Sequence, residues 1–346
     1  MNEWQRLNAM LNGEYVDRPP CICPMQTATS ALMKASGAYY PLVQDDPHQM
    51  ARLAEAAFTQ AGIENVRIPF DESVEVSAFG AATGNKGARR HPIVLEHLVR
   101  SPEDVDRLEV PDPSTSDRSK TVLRAAWALD NQRKSLPILL GVISPLTLAM
   151  QLRGDHELMM DMVEDPGLVV SLLERATQFL LEYTKEGAEH GVDMIVIDDS
   201  LASGDFLTDK QFMVFAEPFD DRIANEIRKN DIESILHVCG NLTSRQLERM
   251  VEVDANAMSI DQDVSVPEAK RIASRRKMKV IGSLCPSRTL LMGDVGLVEE
   301  VTKRCLGEGV DAVAPGCNLE LYTPTENLKA MVEATKRHGR PNDGGR

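Results

Sequence analysis

The sequence predicts an α/β protein built as a (β/α)8 barrel, the TIM-barrel architecture, with a hairpin-and-helix insertion after the second strand. Three observations lead there. Short apolar runs bounded by turn residues recur eight times, as strands of a buried parallel sheet do. Segments of helical periodicity fall between most of them, which is the alternation of a βα repeat. The runner-up, a doubly wound open sheet, lacks support: no Gly-x-Gly-x-x-Gly turn and no Walker loop occurs. A length of 346 residues suits one such barrel.

The expected strands are Cys21–Met25, Asn65–Pro69, Pro137–Val142, Asp193–Ile197, Ser234–Val238, Ala257–Ile260, Lys279–Gly282 and Asp311–Ala314. Gln49–Ala61 carries apolar residues at helical spacing. Pro166–His190 begins after Asp165 and stops at Gly191, a proline start and glycine stop that punctuate a helix. Thr208–Lys229, Ser244–Val251, Pro267–Arg275, Val295–Leu306 and Pro324–His338 read the same way. Residues 71–136 are too long for a simple connection. Val74–Phe79 and Ile93–His97 read as β-like segments joined by the Gly/Asn-rich Gly80–Arg90, followed by a helix near Lys120–Arg133. This excursion is either decoration or a lid, since βα loops carry barrel active sites. Residues 1–339 are expected to form a single domain. Residues 340–346 read as a disordered tail.

Composition narrows the function. Lys and Arg total 38 against 53 Asp and Glu, a net charge of −15. Nucleic-acid binding needs a basic face and is set aside. No run of about 18 apolar residues occurs to span a membrane. The start, Met1-Asn2-Glu3-Trp4-Gln5-Arg6, has no signal-peptide pattern, so the expected location is cytoplasmic. The six cysteines then read as thiols, ligands or core residues, not a disulfide framework.

A barrel places its chemistry at the C-terminal ends of its strands. There the sequence sets Asp71 after strand two, Asp198-Asp199 after strand four, His237 and Cys239 after strand five, Asp261 after strand six, Cys285 after strand seven and Cys317 after strand eight. His237 and Cys239, two apart, point to one side of their strand. Cys317 must reach across the mouth from Pro315-Gly316-Cys317-Asn318, where glycine permits a close approach. Two thiolates, an imidazole and one open position make a catalytic zinc pattern; structural zinc closes all four. The bland alternative is two small buried cysteines and a satisfied core histidine. Asp71 reads as functional or as a turn cap. One of Asp198-Asp199 could have a raised pKa, bind metal, or orient His237. Asp261 reads more simply as a cap. Cys285 reads equally as cap or packing, and Cys21, Cys23 and Cys305 as core.

Longer stretches carry a resemblance. Arg18-Pro19-Pro20, Thr27–Ala35, Gly37-Ala38-Tyr39-Tyr40-Pro41 and Val66-Arg67-Ile68-Pro69-Phe70-Asp71 resemble the uroporphyrinogen decarboxylase superfamily. His237-Val238-Cys239-Gly240-Asn241, Ala314-Pro315-Gly316-Cys317 and the closing Thr323–Met331 resemble its methylcobamide:coenzyme M methyltransferase branch. The likeness runs from about residue 3 to 339. It implies a zinc ion held by His237, Cys239 and Cys317, with the thiol of coenzyme M or a similar acceptor at the open position. It further implies methylcobalamin or another corrinoid as methyl donor, carried by a small corrinoid-binding partner protein. Asp71 matches the superfamily's strand-end aspartate, with an open role here. Three alternatives stand beside this. One is methyl transfer from a small methoxy donor to a corrinoid protein. Another is decarboxylation, against which stands the lack of arginine in Pro19–Ala35. The third is a non-catalytic corrinoid-protein binding module.

Overall fold

The computed structural model describes residues 1–85, 91–132 and 135–342. Its main sheet has seven parallel strands: β1 (Val66–Ile68), β4 (Ile138–Ile143), β5 (Met194–Asp199), β6 (Glu233–Val238), β7 (Ala257–Ile260), β8 (Lys279–Leu284) and β9 (Ala312–Pro315). They pair in that order, each next to its neighbour in sequence. A two-stranded antiparallel hairpin, β2 (Thr83–Gly84) with β3 (Ile93–Val94), stands apart. The seven expected runs from Asn65 onward thus match β1 and β4–β9 to within two residues at either end.

The first expected strand, Cys21–Met25, is not a ladder strand. It makes one parallel bridge, Cys21 to Val313, with the Ile22 amide donating to Val313 O at 2.9 Å and the Val313 amide to Pro20 O at 2.9 Å. Toward β1 it is tied by the Glu64 amide to Cys21 O at 2.9 Å. The Asn65 side chain clamps Cys23, accepting from its amide at 2.8 Å and donating to its carbonyl at 3.0 Å. Pro19, Pro20 and Pro24 lack amide hydrogens, so a regular ladder cannot run here. A side-chain amide closes the ring between β9 and β1 instead.

Inward and outward residues alternate along every strand. The lower inward layer is apolar: Leu139, Met194, Val196, Ile235, Ala257, Ile281 and Ala312 are buried together. The helix Glu3–Leu11 caps that end, with Leu7, Met10 and Leu11 in the same cluster. Continuing the alternation upward brings Asp198, His237 and Ser259 to the inner face at one level, paired in register across β5, β6 and β7. The barrel is thus a packed core at one end and a polar mouth at the other.

Outside, helix Pro47–Ala61 has Asp46 as its N-cap and Pro47 in its first turn, and Pro166–Glu189 has Asp165 and Pro166 in the same roles. The expected helix Thr208–Lys229 is two, Asp209–Phe215 and Glu217–Lys229, broken at Ala216. Pro218 has no amide to continue the first helix. The excursion after β1 also differs from expectation. Val74–Phe79 is not β-like: Val74–Ala78 is a helix. Its Val-Glu-Val alternation mimics a strand, yet Glu75 is buried and accepts a hydrogen bond from the Ile143 amide of β4 at 3.0 Å. That tertiary contact outweighs the local pattern. Residues 86–90 of the expected connection lie outside the described residues. The helix expected near Lys120–Arg133 is Asp117–Gln132, with Arg133 outside them. Within the expected tail, Asn342 pairs antiparallel with Val16 through two 3.0 Å hydrogen bonds, so its first part is ordered. Residues 343–346 lie outside the described residues. Among the described residues no helix is long and apolar enough to cross a membrane.

Burial pushes the Glu75 carboxyl up to about 7, against an ordinary 4.5. The folded state therefore holds its proton more tightly than the unfolded chain. Its contribution to stability is intact below about pH 4.5 and is lost as pH rises through about 7. Glu75→Gln keeps an acceptor for Ile143 and removes the titration. Its melting temperature should gain on wild type by on the order of a few degrees between pH 5 and pH 8; thermal unfolding at both pH values checks this.

Candidate metal centre

His237 is the inward residue near the top of β6, fully buried. Its Nδ1 lies 3.1 Å from both Ser259 O and Ser259 Oγ on β7. The carbonyl can only accept, so Nδ1 carries the proton and Nε2 is left with a free lone pair. That Nε2 is buried and has no hydrogen-bond partner. A buried polar atom without a partner is costly, and here it faces two thiols. Cys239 follows β6, and its Sγ lies 3.2 Å from Cys317 Sγ, well beyond the length of a disulfide. One ligand atom from each of His237, Cys239 and Cys317 falls within 4.8 Å of the others, the one such metal-capable set among the described residues.

Two loops bring the cysteines together. Gly240, at φ +86°, turns the chain after Cys239, and its amide donates to Asp261 Oδ2 at 3.1 Å. Cys317 enters behind Gly316, whose amide donates to Leu284 O at 2.8 Å. A Cβ on Gly316 would lie 2.7 Å from the Gln262 amide nitrogen, so close approach is what requires glycine there. The electrostatics favour an anionic sulfur pair. The hydrogen bond between the two sulfurs pulls Cys239 down to about 5 against its burial; nearby His237 adds to this. Cys317 is pushed up in turn by the charge on Cys239 and by burial. Burial lowers His237, but the Cys239 sulfur and the Asp198 carboxylate raise it by more.

Asp198 sits beside His237 in register and is fully buried. Its Oδ1 accepts from Ser200 Oγ at 3.1 Å, and its Oδ2 has no partner. Burial, with the charge of Glu72, pushes its carboxyl up to about 7 although His237 and Arg67 oppose this. Asp199 faces away, into a buried carboxyl pair with Asp220. Asp71 lines the mouth but is not in the metal-capable set. Arg118, on helix Asp117–Gln132, grips it through Nη2 to Oδ2 at 2.7 Å and Nη1 to Oδ1 at 3.1 Å. Ser73 donates to Oδ1 from its amide at 3.0 Å and its hydroxyl at 2.7 Å. Burial works to raise this carboxyl, and the Arg118 charge and hydrogen bonds outweigh it, holding it below its usual range. Asp261 is the cap expected, accepting from the Asp263 amide at 3.0 Å. Its second oxygen also lies 3.7 Å from Cys239 Sγ, so it is a neighbour of the centre as well as the cap the sequence favours. Cys285 caps the turn after β8 by accepting from the Arg288 amide. Cys21, Cys23 and Cys305 are buried as expected.

A cavity of about 750 Å³ opens above the cysteines. Asp71, Glu72, Asp261 and Asn318 line it, and Ile93 and Val94 of the hairpin wall one side. The excursion after β1 therefore contributes to the mouth.

The family model described as uroporphyrinogen decarboxylase (URO-D) matches residues 2–338. The chain belongs to that family. It falls in the methyltransferase branch: "Methylcobamide:CoM methyltransferase MtbA" of Methanosarcina acetivorans is 34% identical over 335 residues, covering 96% of this chain and 97% of the relative. The protein of the same name from Methanosarcina mazei is 33% identical with the same coverage. A solved structure titled "methyltransferase from Methanosarcina mazei" superposes with a TM-score of 0.92 at 30% identity, over 97% of this chain and 99% of that one. The chain is thus an enzyme of the methyltransferase class, folded as its relatives' barrel.

Gly316→Ala should displace Cys317, because the added Cβ meets the backbone of Gln262 and Asp261, which cannot swing away as the Gln262 side chain can. Metal affinity should fall at least about tenfold while far-ultraviolet circular dichroism stays unchanged. Ser259→Ala leaves the carbonyl to hold His237 Nδ1 and should cost about tenfold or less. Competition with a chromogenic zinc chelator measures both.

Proposed function

We propose that the enzyme moves a methyl group from a methylated corrinoid, presented by a small corrinoid-binding protein, to a small thiol such as coenzyme M, with zinc at His237, Cys239 and Cys317. The observation that carries the zinc reading is the orphaned Nε2 of fully buried His237 facing two thiols 3.2 Å apart. The donor set is soft and nitrogen–sulfur in character, which suits zinc. Three protein ligands leave one position for a substrate. When bound, zinc would act as a Lewis acid that holds the acceptor sulfur as thiolate at neutral pH, where a free thiol with pKa near 8.5 is mostly protonated.

The chain's own residues do the rest. Ser259 holds His237 in the tautomer that presents Nε2. The barrel core below the mouth excludes water from the site's floor. The acceptor sulfur forms the new S–CH3 bond as the corrinoid–methyl bond breaks, with that bond's electron pair remaining on the corrinoid. The sulfur's proton leaves before this step; Asp261, which lines the cavity with an oxygen 3.7 Å from Cys239 Sγ, and buried Asp198, paired in register with His237, are the carboxyls that could receive it. The Arg118-bound Asp71 orders the loop that walls the cavity. Decarboxylation of a polycarboxylate fits poorly, since the cavity lining carries Asp71, Glu72, Asp261 and Glu320.

Zinc analysis of wild type and of Cys317→Ser and His237→Ala tests this. About one zinc per wild-type chain is expected, with both variants losing metal and at least about a hundredfold in methyl transfer from methylcobalamin to 2-mercaptoethanesulfonate. Both variants should stay folded, as rim residues add little to the core. Reduced wild type without zinc, or activity that survives metal loss, would refute the mechanism.

A further inference from the structure

Among the described residues, arginines that are buried or nearly so are paired, with one exception. Arg6 is bound by Asp17 and Glu64, and Arg118 by Asp71. Arg67 is 3% exposed, yet it makes no ion pair with a carboxylate among the described residues. Its Nη1 donates to Pro69 O, and its buried Nε has no partner. A fully buried guanidinium without a counter-ion is rare, because stripping a charge of water is expensive. Such a group is worth its cost where a ligand supplies the missing anion.

Its position fits that role. Arg67 pairs in register with Leu139, whose side chain belongs to the barrel interior, so Arg67 also points inward. The next inward position on β4 is Gly141, where any side chain would collide with the guanidinium. The barrel is therefore hollowed to hold this group at the level where the core gives way to the mouth. Arg67 lines the same cavity as Cys239 and Cys317, and is the one Lys or Arg among that cavity's described residues. The simpler explanation is a counter-charge for Glu75 and Asp198. Glu75, however, spends one oxygen on the Ile143 amide, and Asp198 takes its bond from Ser200.

Resting on the transfer reading above, we propose that Arg67 seats the anionic end, an organic sulfonate or carboxylate, of the thiol that is methylated. The guanidinium fork matches either oxyanion through parallel hydrogen bonds. In a buried site that contact discriminates strongly, because a neutral analogue leaves the charge unpaired. One end of the acceptor is then held by charge while its sulfur reaches the cysteine end of the cavity.

The test uses zinc-loaded wild type, Arg67→Gln and Arg67→Lys, with methylcobalamin as donor. Three acceptors are compared: 2-mercaptoethanesulfonate, 3-mercaptopropionate and uncharged 2-mercaptoethanol. Arg67→Gln should raise KM for the preferred anionic thiol at least about tenfold and change kcat/KM for 2-mercaptoethanol by less than about twofold. Whichever of the sulfonate and the carboxylate loses more is the class the site was built for. Arg67→Lys, which keeps the charge without the fork, should fall between and serves alone if Arg67→Gln does not fold. Equal losses on all three thiols, or none, would overturn the assignment. A second arm needs neither zinc nor turnover: ethanesulfonate and propionate titrated calorimetrically into metal-free protein. Saturable binding of one of them to wild type, weakened in Arg67→Lys and lost in Arg67→Gln, supports the seat; no binding to wild type, or binding that both variants keep unchanged, refutes it. Wild type that methylates no thiol would sink the transfer reading while this arm still decides Arg67.

Discussion

One row of hydrogen-bonded register organises the active end of this barrel. Asp198, His237 and Ser259 stand side by side on three adjacent parallel strands. Because side chains alternate across a strand, the same register that buries Met194, Ile235 and Ala257 below also brings these three to the inner face above. A slip of one residue would turn His237 outward and leave a hydrophobic side chain at the mouth. The apolar core and the metal-capable centre are therefore one construction: the packing of the lower layer holds the register, and the register aims the imidazole.

What the centre gains from burial is reactivity. His237 Nε2 has no internal partner, and its Nδ1 is committed to Ser259. The two sulfurs share a hydrogen bond, which pulls the Cys239 thiol down and pushes the Cys317 thiol up. Around them the carboxyls take distinct parts. Asp71 stays ionised and clasped by Arg118, Asp261 closes a turn, and Asp198 is buried with an oxygen to spare. Similar residues behave differently because each meets a different balance of desolvation and donors.

The mouth was only partly legible from the residues in order. His237, Cys239 and Cys317 could be read because two share a strand end and the third follows a Pro-Gly turn, signals that survive in one dimension. Arg118 could not, since its partner Asp71 is 47 positions away and nothing local links them. Arg67 stands in plain view inside an apolar run, Val66–Phe70, but a charge in a strand acquires meaning only when its surroundings show that no carboxylate among the described residues forms an ion pair with it. Asp261 was read as a cap, which it is; its second oxygen near Cys239 depends on how two loops pack.

For the fold the division follows from where each element's hydrogen bonds and packing come from. Strands β4 to β9 are covered on both faces, so continuous apolar runs betray them, and the helices carry their own caps and periodicity. Those features the amino-acid sequence determined alone. The Cys21 segment depends on the Asn65 side chain to stand in for a ladder, and Val74–Ala78 is helical although its pattern alternates, because Glu75 finds the Ile143 amide. The meeting of three ligand atoms and the lone guanidinium over Gly141 belong to the same class. Local pattern specifies an element when its stabilising contacts lie within it; where those contacts arrive from distant segments, only the assembled barrel decides.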